Sequence, residues 1–148
     1  MNSFNTDIVK IARAFDAEIP EDFPREAPVV VNTLQKALLQ RLDGVDFDSV
    51  VVWNDVDSAL LGFTIANETN SQFVIAHSDE GRLSLNMPLS HDARVLLLDT
   101  AWDVHPGLSS LLTMIGDDAT IVAVAAVTKT AALDAAIEGG YTVVVLED

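Results

Sequence analysis

The chain has 148 residues, 49% of them hydrophobic, and 23 acidic against 8 basic residues give it a formal charge of −15. The scattered bases exclude a basic patch for nucleic acid or anionic lipid, and the absence of cysteine excludes disulfides and thiolate metal sites. No apolar run is long enough to span a bilayer, and the first residues show no signal-peptide pattern, so we expect a soluble, cytoplasmic protein.

Two helices are predicted at the start of the chain. Asn5 or Thr6 can cap the first, whose apolar residues recur at helical spacing: Ile8, Ile11, Ala12 and Phe15. The stretch 18–28, with three prolines and four acidic residues, predicts a connector. The second helix has an apolar stripe and ends near Gly44, which can adopt the left-handed conformation. The stripe comprises Val31, Leu34, Leu38 and Leu42.

From Ser49 onward, short apolar runs alternate with helices. The runs predict five core strands, at 50–53, 73–76, 95–98, 121–127 and 143–146. After the second strand, four apolar residues alternate with polar ones and predict a half-buried strand in an antiparallel ribbon. These are Leu83, Leu85, Met87 and Leu89.

Three helices fill the gaps between the core strands. The first runs from about 57 to 67, with Asp55 or Asp57 as its cap and with Leu60, Phe63 and Ala66 facing inward. The second has Pro106 in its first turn and ends at Gly116, and its apolar face comprises Leu108, Leu111, Leu112 and Ile115. The third begins after Thr130 and ends at Gly139-Gly140.

Alternating strands and helices predict right-handed crossovers and a mostly parallel sheet. We therefore predict an α/β fold, a single-domain three-layer sandwich with a mostly parallel five-stranded sheet, two N-terminal helices and a short antiparallel ribbon. The single domain spans 1–148, with the helices and connector over 1–45 and the α/β core over 46–148.

An acidic loop that opens a helix follows the third core strand. In open α/β sheets, ligands bind at the carboxyl ends of the strands, so this loop predicts the ligand site. Two neighbouring segments reach the same edge of the sheet, at 53–58 and 77–82. From the three segments we select as ligand-binding candidates Asn54, Asp55, Asp57, Ser58, Arg82, Asp99, Thr100, Asp103, His105, Gly107, Ser109 and Ser110.

The order of these elements, together with the run Val95–Leu98 leading into Asp99, resembles the type I phosphoribosyltransferase family, with the orotate phosphoribosyltransferases as the nearest branch. The segment 131–146 is similar to the last helix and strand of that family. The resemblance covers 46 to the C-terminus by order and spacing. It implies a phosphoribosyltransferase-like fold and a homodimer, with the N-terminal helices and the ribbon as contacts.

The positions that handle phosphate in that family lack the expected residues here. The second acid of the ribose-binding pair falls on Thr100, and the hydroxyl pair that cradles the phosphate falls near Asp103 and Val104. A carboxylate about 4 Å from a phosphate charge costs about 4 kcal/mol at an effective dielectric near 20. Gly107, Ser109 and Ser110 retain a partial cradle.

The other two segments also lack positive charge. The pyrophosphate turn is acidic at Asp55 and Asp57, and after the second strand only Arg82 stands where the orotate branch has arginine and lysine. We therefore predict a non-catalytic binding or regulatory module with no catalytic residue and no cofactor. Its ligand would be a small, nucleotide-like molecule.

Three alternatives stay open. An active phosphoribosyltransferase would use Asp99 for ribose, Gly107 and Ser109 for phosphate, and Mg²⁺ to bridge the excess acids. A receiver-like domain would be phosphorylated on Asp99 and would use Lys129. A divalent-metal site would take its oxygen and nitrogen ligands from Asp99, Asp103 and His105.

The histidines and the tryptophans favour structural roles. The three histidines lie in no catalytic motif, which favours structural roles for them over general-base catalysis. They are His77, His91 and His105. Trp53 and Trp102 each follow a strand, where core packing is favoured over a ligand crevice or partner surface.

Overall fold

Helices cover both faces of a six-stranded sheet in the computed structural model, which describes residues 6–16, 28–102 and 107–147. In chain order the elements are α1 (Thr6–Phe15), α2 (Pro28–Arg41), β1 (Ser49–Trp53), α3 (Val56–Thr69), β2 (Gln72–Asp79), β3 (Arg82–Leu85), β4 (Arg94–Asp99), α4 (Leu108–Gly116), β5 (Thr120–Thr128), α5 (Ala131–Glu138) and β6 (Val143–Glu147). No described helix is both long and apolar enough to cross a membrane.

The strands are ordered β3-β2-β1-β4-β5-β6. Every neighbouring pair is parallel except β2 and β3, which form the antiparallel ribbon. Five parallel strands with one antiparallel strand at the edge confirm the predicted fold class. The ribbon strand is shorter than its alternating pattern indicated, because it ends at Leu85 and leaves Met87 43% exposed.

Alternate residues of the central strands pack against different helices. Val50 and Val52 contact the cluster formed with α1, α2 and α3, whereas Val51 and Trp53 contact the cluster formed with α4 and α5. Because both faces of β1 are covered, all five of its residues are buried. This two-sided burial explains why the core strands are continuous apolar runs.

The helix α3 lies unusually close to β1 at Gly62. A Cβ atom on this glycine would stand 2.2 Å from Val52 Cγ1, so only glycine allows the helix to approach the strand at this distance. The approach turns Leu61 and Ile65 toward the sheet, and both are fully buried. It follows that the register of α3 on the sheet is set by Gly62.

The inward orientation predicted for Leu60 and Phe63 of α3 is wrong. Leu60 is 40% exposed and Phe63 is 60% exposed, although Ala66 is buried as predicted. The contact at Gly62 directs the neighbouring face of the helix to the sheet and leaves Leu60 and Phe63 outside. Phe63 makes an edge-on contact with Phe73 of β2, with 5.8 Å between ring centroids.

The N-terminal helices agree with the predicted pattern in part. Ile11, Ala12 and all four residues of the α2 stripe are buried, and Gly44 has the predicted positive φ of 85°. Phe15 differs, because it is 44% exposed and its ring lies 6.0 Å from the Arg41 guanidinium. The side chain of Ile8 lies outside the described part of the chain.

Candidate functional site

The carboxyl ends of β1, β4 and β5 meet at one edge of the sheet. In the parallel register, Val52 lies beside Leu98, and Leu98 lies beside Ala125. The residues that follow these strands therefore share one edge, as the sequence predicted. Residues from two of the three predicted segments, those after β1 and β4, come into direct contact there.

Asp99 is the centre of these contacts and is only 3% exposed. Its Oδ1 accepts hydrogen bonds from Ser58 Oγ at 2.6 Å and from the backbone N of Thr100 at 2.7 Å. Ser58 is fully buried at the start of α3. The carboxyl group thus links the first turn of α3 to the end of β4, a link between residues 41 positions apart in the chain.

The acidic turn after β1 is used to begin α3. Asp55 is the N-cap residue, and its Oδ1 accepts a hydrogen bond from Ser58 N at 2.9 Å. Asp57, the other predicted cap, is instead buried in the first helical turn, with 8% exposure. Asn54 is exposed. Two of the predicted ligand residues in this turn, Asp55 and Ser58, therefore have their polar groups engaged within the protein.

The loop after β4 is bound to the end of β5. The carbonyl oxygen of Thr100 accepts hydrogen bonds from the backbone N atoms of Val127 and Thr128, both at 3.0 Å. The hydroxyl of Thr128 lies 3.4 Å from the same oxygen and donates to it. Thr100 therefore joins the end of β4 to the end of β5.

Trp102 holds this loop to the core. Its side chain is 1% exposed, and Nε1 donates a hydrogen bond to the Ala125 carbonyl oxygen at 3.0 Å. Its φ of 42° lies in the left-handed region, which costs a bulky residue about 1–3 kcal/mol. Burial of the indole offsets that cost. Core packing, the favoured role for both tryptophans, agrees with the burial of Trp102 and of Trp53 at 9% exposure.

A cleft of about 410 Å³ lies between the first turns of α4 and α5. Gly107, which precedes α4, and Ser109 lie on its wall, while Ser110 is half-buried on the same helix. Thr130 is the N-cap residue of α5 as predicted, but its side chain accepts no hydrogen bond from the helix. Its hydroxyl instead donates to the Trp102 carbonyl oxygen at 3.4 Å. The remaining lining residues are Trp102, Leu108, Leu112, Ala131, Ala132, Ala135 and Ala136.

The other candidate residues lie apart from Asp99 or outside the described residues. Arg82 is exposed at the start of β3, opposite Asp79 in the register. Lys129 forms an ion pair with Asp134 at 3.4 Å, so its ammonium group is directed to α5. Asp103 and His105 lie outside the described residues, and the metal site that includes them stays a prediction.

Neither of the two described histidines is buried. His77 faces Ser84 across the ribbon, with 3.2 Å between Nε2 and the hydroxyl oxygen. His91 is exposed beside Asp92, at 3.5 Å. In residues 6–16, 28–102 and 107–147, no group of three or more histidine or acidic side chains is placed to hold a metal ion.

The role of Ser58 was missed in the sequence, whereas core packing of Trp102 was the favoured expectation. Ser58 was selected as a ligand residue, and nothing in its neighbourhood signalled that it would donate to Asp99. Trp102 offered one usable signal, since a large aromatic residue just after a buried strand often returns to the core.

No family model and no curated protein matches the sequence. Solved structures do match the fold. The adenine phosphoribosyltransferase of Rhodothermus marinus is 12% identical, with a TM-score of 0.70 over 94% of this chain and 98% of that one. The adenine phosphoribosyltransferase of Saccharomyces cerevisiae, complexed with an imino-altritol bisphosphate and adenine, is 15% identical, with a TM-score of 0.65 over 93% and 99%.

The orotate branch is also among the matches. The orotate phosphoribosyltransferase of Mycobacterium tuberculosis H37Rv, in complex with inorganic phosphate, is 12% identical, with a TM-score of 0.62 over 80% of this chain and 70% of that one. At these identities the similarity establishes the fold and leaves activity open. The chain therefore has the type I phosphoribosyltransferase fold that the sequence pattern resembled.

Proposed function

We propose that this chain, which has the fold of the type I phosphoribosyltransferases, does not transfer phosphoribose and acts as a binding or regulatory module. Function depends on the site and not on the fold, so the proposal rests on what the strand ends do in this chain. Its ligand is a small, nucleotide-like molecule that reaches the same edge of the sheet.

The burial of Asp99 carries the proposal. An acid that holds ribose hydroxyls must present its oxygens to an open pocket, yet this carboxyl group is 3% exposed. Its Oδ1 already accepts bonds from Ser58 and the Thr100 backbone. Opening this site to a ribose would disturb these internal bonds, and each buried group left unsatisfied would cost about 1–3 kcal/mol.

The contacts of Thr100 and Trp102, two of the described residues after β4, support the same proposal. A phosphate cradle needs free backbone N–H groups and small residues around the anion. Here Thr100 N donates to Asp99, and the loop is held down by the buried side chain of Trp102. The first residues of a cradle are thus committed to internal contacts. Gly107 and Ser109, beside the cleft between α4 and α5, are left as the positions where a ligand can meet α4.

The proposal is tested by calorimetric titration with phosphoribosyl pyrophosphate and Mg²⁺. We expect no saturable heat at micromolar ligand. A parallel assay for pyrophosphate release, with adenine and with orotate, should give no base-dependent rate. An authentic orotate phosphoribosyltransferase serves as the positive control for both measurements. Micromolar binding together with base-dependent release would overturn the proposal in favour of an active transferase with a divergent phosphate loop.

We also propose that the chain forms a homodimer, with α3 as a contact. Three apolar residues stand one or two turns apart on its outer surface, with exposures of 56% for Val56, 40% for Leu60 and 60% for Phe63. A helix that is apolar on two sides usually has a partner on each. This surface adjoins β2 of the ribbon, which the resemblance had already suggested as a contact.

Light scattering coupled to size-exclusion chromatography tests the dimer. The wild-type chain should elute with twice the mass of one chain, and Phe63→Asp should reduce that mass to a single chain, because a carboxylate would be buried in the contact. Ile137→Asp is the matched control, since Ile137 is 51% exposed on α5, across the sheet from α3. A monomeric wild-type chain, or equal behaviour of both variants, contradicts the proposed contact.

A further inference from the structure

The edge strand β6 forms the floor of a groove. β6 is the last strand of the sheet order, with β5 as its one neighbouring strand among the described residues. The groove measures about 420 Å³ and runs between the end of α2 and the side of α5. Its lining residues are Arg41, Lys129, Leu133, Ile137, Val143, Val144 and Val145.

Backbone groups of β6 face this groove. Thr142 O accepts a hydrogen bond from Val124 N at 2.8 Å, so the backbone of Thr142 points to β5. Because backbone direction alternates along a strand, the N–H and C=O groups of Val143, Val145 and Glu147 point the other way. One of these groups is occupied, since the Arg41 guanidinium donates a hydrogen bond to Val145 O. Such a row of outward groups is a template for another extended segment.

The charge of the groove is opposite to that of the chain. Its lining includes two bases and no acid, in a protein with 23 acidic and 8 basic residues. Lys129 does contact Asp134 at 3.4 Å, but both side chains are about half exposed, at 43% and 58%. Exposed pairs of this kind contribute about 0–1 kcal/mol and exchange partners easily. Both cations can therefore turn to a carboxylate that enters the groove.

The apolar part of the groove fits alternate side chains of an extended segment. Ile137 is 51% exposed, and Val143 and Val145 are half-buried along the strand. In an added strand, every second side chain would face these residues, and the others would face solvent or the cations. Main-chain hydrogen bonds would supply affinity, and the two cations would select for acidic residues.

We propose that the β6 groove binds an acidic, extended peptide segment of a partner protein by adding it as a seventh strand. In the free chain, Arg41 occupies one acceptor of the β6 edge by donating a hydrogen bond to Val145 O. On binding, an N–H of the peptide replaces it, and the guanidinium moves to a peptide carboxylate. A second copy of β6 fits less well, because antiparallel pairing centred on Val145 would bring two Arg41 side chains together.

Two synthetic peptides test this proposal against the full-length chain, acetyl-Val-Glu-Val-Glu-Val-amide and its counterpart with lysine in place of glutamate. NMR titration should shift the backbone amides of Val143, Val145 and Glu147, with tighter binding of the glutamate peptide. In a chain carrying both Arg41→Glu and Lys129→Glu, affinity for the glutamate peptide should fall by about tenfold or more, and the lysine peptide should become the preferred ligand.

The matched control carries Lys10→Glu and Lys36→Glu, which change the net charge equally at exposed positions of α1 and α2. It should keep the preference for the glutamate peptide. A peptide methylated at every backbone nitrogen should not bind, because it has no N–H group to donate to β6. Equal loss in both double variants, shifts that map away from β6, or unchanged binding of the methylated peptide would overturn the proposal.

Two other occupants would also overturn it. One is a second copy, which would appear as a dimer lost on mutation of β6 and not of α3. The other is the segment 17–27 of the same chain, which would be identified if its replacement by a Gly-Ser linker raised peptide affinity. Neither outcome bears on phosphoribosyl pyrophosphate binding. The proposal for the β6 groove and the proposed function can therefore be contradicted independently of each other.

Discussion

Replacing Trp102 with alanine should lower the free energy of unfolding by about 3–5 kcal/mol, the range for truncating a large buried aromatic side chain. The indole is 1% exposed, and its Nε1 donates to Ala125 O at 3.0 Å. Alanine would leave a cavity beside β5 and remove the indole donor from the Ala125 carbonyl oxygen. It would also keep a non-glycine residue at a φ of 42° without the packing that offsets the strain.

Urea denaturation followed by far-UV circular dichroism measures this effect. Trp102→Phe is the informative control, because it keeps an aromatic ring in the core and removes the indole N–H donor. Its loss should be smaller, about 1–2 kcal/mol. If Trp102→Ala unfolds at the same urea concentration as the wild-type chain, the loop is not held by this side chain.

Removing the hydroxyl of Ser58 should cost about 1–3 kcal/mol of stability, because the buried Asp99 oxygen loses its shortest hydrogen-bond donor, at 2.6 Å. Ser58→Ala leaves the N-cap bond intact, since that bond uses the backbone N of Ser58. The effect therefore reports on the link between α3 and β4 and not on helix initiation.

A double-mutant cycle separates this link from unrelated effects. Ser58→Ala and Asp99→Asn should show a coupling energy of about 0.5–3 kcal/mol in denaturation experiments. Ser109→Ala, at an exposed position of α4, should change stability by less than about 0.5 kcal/mol. Additive effects of Ser58→Ala and Asp99→Asn would mean that the hydrogen bond does not stabilise the strand end, and the observation behind the proposed function would lose its support.

The strands could be predicted because the relevant information is local. A run such as Val95–Leu98 is apolar at every position, and this pattern occurs where helices cover both faces of a parallel sheet. The turn residues were equally local, since Gly44 and the Asp55 cap adopt their conformations through bonds within their own segments. These elements needed no knowledge of distant residues.

Which side of α3 packs against the sheet could not be predicted in the same way. Leu60, Leu61 and Phe63 are all apolar, so periodicity offers several possible inner faces. The contact between Gly62 and Val52 decides among them, and it joins two separate elements of the fold. Phe15 differs for a related reason, because its partner Arg41 belongs to the next helix.

The sequence predicted the position of the candidate site in the fold but not the contacts among its side chains. The carboxyl ends of the strands were the predicted edge, and Asp99 does lie there. That its carboxyl group faces Ser58, 41 positions earlier, depends on how closely α3 packs against β1 and β4. The spacing of residues along the sequence does not predict the distance between these two side chains.

The amino-acid sequence by itself determined the α/β class, the order of the elements, the acidic character of the strand-end loops and the resemblance to phosphoribosyltransferases. These follow from residue type and short-range periodicity, which act within single segments. Only the tertiary structure decided that Asp99 is buried against Ser58, that Trp102 donates to Ala125 of β5 and that β6 lies beside two basic side chains. Each of these depends on contacts between distant segments, whose geometry is set by the packing of whole elements and not by any one of them.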